Sequence, residues 1–254
     1  MIKLFKIPTA LAAVSTLLLI SSIATASVSV PKQQWSFSGM FGTYDRGAAQ
    51  RGFQIYKEVC ASCHSLRLVN YRHLAALGFS DEQIKAIAGE AEVKDGPNDE
   101  GDMFTRPAKP ADKFVSPFAN DNAARASNNG ALPPDLSLMT KARVGGPDYL
   151  YAILTGYAEA PADVAVPEGM NYHSYFPGHQ IAMAAPLEAD AVEYQDGTKA
   201  TLPQMATDVV TFLSWAAEPE MEQRKSMGIK VLLFLIVFSG LLYAVKKKVW
   251  ADLH

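Results

Sequence analysis

Two stretches of the chain are apolar almost without interruption, and they lie near its two ends. Between them apolar positions recur at helical spacing only in short segments, separated by long irregular runs. The first stretch, MIKLFKIPTALAAVSTLLLISSIATAS, places Lys3 and Lys6 before an apolar core from Ala10 to Ile23. Ala24-Thr25-Ala26 then supplies small residues at a cleavage position, the order of a secretory signal peptide. It lacks the Arg-rich, amphipathic character of a mitochondrial transit peptide. The expectation is a leader over residues 1–26 that is removed on export into a bacterial periplasm. An uncleaved N-terminal anchor is the alternative.

The second stretch is Gly228–Val245, GIKVLLFLIVFSGLLYAV. As a helix it spans roughly 27 Å, enough to cross a hydrocarbon core. Lys230 can snorkel at one end, and Tyr243 and Trp250 suit the far interface. Basic residues flank both sides, so they do not orient the span. The leader does: residues 27–219 form an exported domain, and 220–254 an anchor ending in a cytoplasmic tail, KKKVWADLH. The protein is then a single-pass component of the bacterial inner membrane.

In the exported part, Asp45 caps a helix running towards Cys63, with Phe53, Tyr56 and Cys60 at helical spacing. Ser80 and Gln83 form a capping box for a helix to about Gly89. Residues 91–135 lose periodicity and fill with Pro, Gly, Asn and Asp, which reads as a long loop region. Pro147 and Gly156 frame a helix, PDYLYAILTG. Residues 157–200 are loop-rich again, with a short strand pair expected around AVEYQDGTKAT, where Asp196-Gly197 is a hairpin-turn signal. Pro203–Ala217 is a helix, and Pro219 separates it from the anchor. The fold class is mainly α, a few helices joined by long loops. So much irregular chain with no disulfide to staple it implies folding around something large and apolar.

Composition narrows the function. The 254 residues carry a net charge of -3 with 19% charged residues, so nothing points to nucleic acid. There are only two cysteines, both in EVCASCHSL. An exported cysteine pair invites a disulfide, and C-x-x-C could be a redox dithiol or half of a zinc site. Zinc would want a second cysteine pair, and a thioredoxin-like dithiol a βαβ context. C-x-x-C-H is the attachment pattern of a c-type haem. On a helix, positions i, i+3 and i+4 share a face, so Cys60 and Cys63 can form thioethers to the vinyl groups while His64 meets the iron. For the sixth ligand the residues leave several candidates: His73, His173, His179, Met139, Met183, Met205, or an open site. His254 lies beyond the membrane span. Met183, in the Pro- and Gly-bounded loop FPGHQIAMAAPL, is the foremost, because such a loop can present a thioether without helical constraint.

CASCHSL, NNGALPPDLSLMTKARVGGPDY, YFPGHQIAMAAP and DVVTFLSWAAEPEMEQRKSMG before one C-terminal span resemble, in this order, the cytochrome c1 family, the haem c subunit of the cytochrome bc1 complex. The resemblance covers the whole mature chain. It implies a class I cytochrome c-like haem domain holding one covalent haem c. It also implies His64 and Met183 as axial ligands, and Asn128, Pro134, Arg143 and Tyr149 along the haem, with Arg143 suited to a haem propionate. The implied role is an electron-transfer subunit, not a stand-alone enzyme. Electrons would come from a Rieske iron–sulfur protein and go to a cytochrome c, in a dimeric complex with cytochrome b. Another membrane-anchored cytochrome c, or a haem peroxidase or sensor with a vacant site, are the rival readings. With two cysteines in all, no auxiliary disulfide is available, and the Met183 loop is expected to be held by packing alone. Finally, residues 81–102 hold eight acids against Lys85 and Lys94, an acidic run suited to a basic partner.

Overall fold

The computed structural model describes residues 29–253; residues 1–28, which include the expected leader, and His254 lie outside the described residues. The chain is mainly helical. α1 (Arg46–Glu58) starts where Asp45 accepts a hydrogen bond from the Ala48 amide, and it ends two residues before Cys60, with Val59 as its C-cap. α2 (Asp81–Gly89) has the expected capping box between Ser80 and Gln83. Short helices α3 (Asp121–Ser127) and α4 (Met139–Ala142) follow, then α5 (Pro147–Thr155), α6 (Leu202–Ala217) and α7 (Met221–Val249).

The core forms where α1 crosses α6. Phe53, Ile55 and Tyr56 of α1 are buried against Met205, Val209, Phe212 and Trp215 of α6. Gly52 permits the crossing, because a Cβ there would sit 2.0 Å from the Asp208 carbonyl oxygen. Arg51 then reaches Asp208, which is fully buried, through Nε at 2.9 Å and Nη2 at 3.1 Å. A carboxylate this deep requires such a fork of donors.

Two sequence expectations change. The region 91–135 is not all loop: β1 (Glu92–Asp95) pairs antiparallel with β2 (Phe104–Pro107), and α3 follows. Arg106 draws this hairpin together by binding both Asp95 and Asp112. Around AVEYQDGTKAT the turn is present, with the Gly197 amide on the Tyr194 carbonyl, but no strands flank it. The second ribbon lies earlier, where β3 (Asn171–Tyr172) pairs with β4 (Gln180–Ile181).

α7 has 29 residues, a membrane-length apolar window of mean hydropathy 2.3, and none of that window buried. At 1.5 Å per residue it is about 44 Å long, more than a hydrocarbon core needs. Its surplus first turns dock on the head. Met221 is buried, Glu222 accepts from the Tyr44 amide (2.7 Å) and Arg46, and Lys225 Nζ donates to the carbonyls of Phe37 (2.7 Å) and Gly42 (3.0 Å).

Candidate functional site

The CASCH segment leaves the end of α1 as a single 3-10 turn, Cys60–Ser62, rather than as a continuation of the α-helix. The turn keeps the relation the chemistry needs. The amides of Cys63 and His64 both donate to the Cys60 carbonyl, at 3.2 and 2.8 Å, so the two thiols and the imidazole come from one turn of backbone. Both cysteines are free and half-buried. Burial, with Cys63 adding to it, pushes the Cys60 thiol up to about 12. A thiol held protonated is a poor exchange nucleophile, which argues against a redox dithiol.

His64 is fixed by a segment 70 residues away. Its Nδ1–H donates to the Pro134 carbonyl at 2.8 Å, which sets the tautomer and leaves Nε2 as the bare donor atom. Burial lowers the His64 pKa more than the Pro134 carbonyl and Asp135 raise it, so the ring is neutral at neutral pH. The carbonyl is in place because residues 133–137 are stitched to the chain just after His64. Asp135 accepts from Ser65 Oγ (2.8 Å) and the Arg67 amide (2.9 Å) through Oδ2, and from the Ser137 amide (2.9 Å) through Oδ1. Ser137 Oγ accepts from the Leu68 amide at 3.0 Å. Ser65, Asp135 and Ser137 were not among the expected site residues; their signal was an Asp-x-Ser set beside two prolines, a local hydrogen-bonding pattern.

The other expected residues divide. Cys63, Ala124, Leu132 and Pro133 line one cleft, so the NNGALPP loop does reach the CASCH turn. Asn128 ends α3, its Nδ2 on the Ala124 carbonyl at 2.7 Å. Tyr149 is half-buried on the core, and burial raises its phenol pKa against the opposing effect of Arg143. Arg143 itself is exposed, and among the described residues its guanidinium binds only the Ala142 carbonyl, at 3.2 Å. Met183 lies in the segment after β4, and packing alone does not hold it. Its carbonyl accepts from Tyr157 Oη at 3.0 Å and from Asn171 Nδ2 at 3.3 Å. His173, a ligand candidate by sequence, is fully buried with both ring nitrogens engaged by backbone.

Residues 35–253 match the Cytochrome C1 family over nearly all the described chain. The chain belongs to the cytochrome c1 family. It is 51% identical over 262 residues to cytochrome c1 of Rhodospirillum rubrum, covering 96% of each chain. It is 52% identical over 246 residues to the cytochrome b/c1 protein of Bradyrhizobium diazoefficiens, covering 88% of this chain and 36% of that longer one. To a mitochondrial cytochrome c1 heme protein of Arabidopsis thaliana it is 51% identical over 229 residues, 88% of this chain and 75% of that one.

Membership of the cytochrome c1 family implies a haem c, and the residues present fit one. Two free thiols and a neutral imidazole with a bare Nε2 come from one turn. Among the described residues no group of three or more His, Cys, Asp and Glu is arranged to hold a metal ion.

Proposed function

We propose that this chain carries one haem c, bound covalently by Cys60 and Cys63 and ligated by His64 and Met183. In this reading it passes electrons from a Rieske iron–sulfur protein to a cytochrome c. Cytochrome c1 is the haem-bearing electron-transfer subunit of the bc1 complex, which it shares with cytochrome b. The bond between His64 and the Pro134 carbonyl carries the reading, because it leaves Nε2 as a bare donor on the same turn as the two thiols. Haem bound there supplies a one-electron couple, and His–Met ligation sets it to a raised potential.

The chain's own residues supply orientation. The Asp135 clasp keeps Pro134 on His64 and so fixes the ring's rotation and tautomer, while burial opposes its protonation. The paired donors on the Met183 carbonyl fix the backbone from which the thioether extends. We place residues 27–219 in the periplasm of a bacterial inner membrane, after removal of residues 1–26. Residues 220–254 form the anchor and a cytoplasmic tail, within a dimeric complex.

The test is to purify the detergent-solubilised chain by an affinity tag. Cytochrome b and an iron–sulfur subunit are expected to come with it, and its band on a denaturing gel should retain haem peroxidase staining. The Cys60→Ala/Cys63→Ala double variant should lose that staining. Covalent haem in the double variant, or a chain that purifies without cytochrome b, overturns the proposal.

A further inference from the structure

We propose that His173, Tyr157 and Asn171 form a strut that positions Met183 and thereby controls how readily its sulfur leaves the iron, an inference that rests on Met183 being the sixth ligand. The strut begins at the end of α5. His173 is fully buried, and its Nε2–H donates to the Ile153 carbonyl at 2.9 Å. Its Nδ1 accepts the amides of Tyr175 at 3.1 Å and Phe176 at 3.0 Å, which fixes the turn leading out of β3. The same residue closes that turn from both sides. Its amide donates to the His179 carbonyl (2.9 Å), and its carbonyl accepts from His179 Nδ1 (3.1 Å). One imidazole therefore welds the helix end to the β3–β4 ribbon that leads directly into Met183.

Tyr157 completes the strut from the helix side. It forms a β-bridge with His173, and its ring meets the His173 ring edge-on at 4.8 Å. That contact aims the phenol at the Met183 carbonyl, while Asn171 of β3 reaches the same oxygen. The close approach has its own requirement at Gly156. A Cβ there would lie 2.8 Å from His173 Cε1 and 2.6 Å from Tyr175 Cδ2. With no disulfide in the chain, these hydrogen bonds are what hold the Met183 backbone against the helix.

Thioether–iron bonds are weak enough for an added ligand to compete, so the strut can be read by competition. Imidazole binding to the oxidised full-length protein reports how easily Met183 is displaced, and the methionine–iron band at the red end of the spectrum reports the bond directly. Tyr157→Phe keeps the ring and removes one donor. It should bind imidazole about fivefold more tightly than wild type, the factor one neutral hydrogen bond is worth. Asn171→Ala should do the same, and the double variant should exceed either, with red-band intensity falling in step. Haem content by pyridine haemochrome should not change. If the affinities of both single variants equal that of wild type while Met183→Leu abolishes the red band, the strut is wrong and the ligand assignment stands. If Met183→Leu keeps the band, the ligand assignment fails and the strut falls with it. His173→Gln, which cannot span Ile153 and the turn together, should exceed both single variants in imidazole affinity; a wild-type value there also overturns the strut.

Discussion

Asp135 takes three hydrogen bonds at 2.8–2.9 Å, from Ser65, Arg67 and Ser137, and so holds the carbonyl of its neighbour Pro134 on His64. Burial alone would raise its pKa, but the donors of Ser137, Arg67 and Ser65 outweigh burial and hold the carboxyl below its usual range. A carboxylate depressed in this way contributes stability that is complete above its unfolded value of 3.8 and lost as pH falls through the folded one. Asp135→Asn keeps the shape but loses the charge-assisted part of the clasp. Its melting temperature in detergent should fall by about 3–6 °C at pH 7, and the gap to wild type should narrow near pH 3. An unchanged gap across that range would refute the clasp. The turn that gathers Cys60, Cys63 and His64 was legible in the sequence because C-x-x-C-H is read locally. Asp135, Tyr157 and Asn171 were not, because these partners are 12 to 70 residues away and a polar residue in a loop shows no periodicity.

Among the elements, α1, α2, α5, α6 and α7 were legible within a few residues, since each carries a cap, a Pro at its start or a sustained apolar face. The two ribbons were not. β1 and β2 are mostly exposed, with burial alternating weakly, and their pairing depends on Arg106 binding acids on both sides. α7 shows an element serving two solvents. From Gly228 its faces are exposed apolar residues suited to lipid, whereas Met221, Glu222 and Lys225 pack on the head. Truncation before Gly228 should therefore release a soluble, haem-loaded domain that keeps these contacts. Truncation before Met221 removes them, and with them Tyr44 loses the Glu222 acceptor. That shorter domain should melt several degrees lower. Retention of the longer fragment in membranes after a high-salt wash would instead mean that the leader is an uncleaved anchor. Equal melting temperatures would mean that the first turns of α7 are not part of the head.

At the scale of the molecule, the acidic run is gathered onto α2 and the β1–β2 hairpin, but the fold answers two of its acids from elsewhere. Lys57 of α1 pairs with Glu90 at 2.5 Å, and Arg106 pairs with Asp95. Glu92, Asp99, Glu100 and Asp102 remain exposed without cationic partners among the described residues, three of them in the connection between β1 and β2. A surface ion pair such as Lys57–Glu90 adds little to stability, yet it does cancel charge in the far field. The uncompensated negative charge of the run therefore sits mainly on the connection. Steering by exposed charge changes the encounter rate more than the affinity, and it fades as the screening length falls from about 10 Å at 0.1 M salt to about 3 Å at 1 M. Neutralising Glu92, Asp99, Glu100 and Asp102 to glutamine or asparagine should slow reduction of a basic cytochrome c several-fold at low ionic strength. The difference should vanish at high salt, while reduction of the chain by its own complex is unchanged. Glu90→Gln removes one negative charge and uncovers the Lys57 cation, so it should slow the reaction about as much as any one of the four substitutions alone. Stopped-flow rates measured across a salt series decide it: parallel curves for wild type and the fourfold variant would leave the hairpin as solvated surface with no part in recognising the partner.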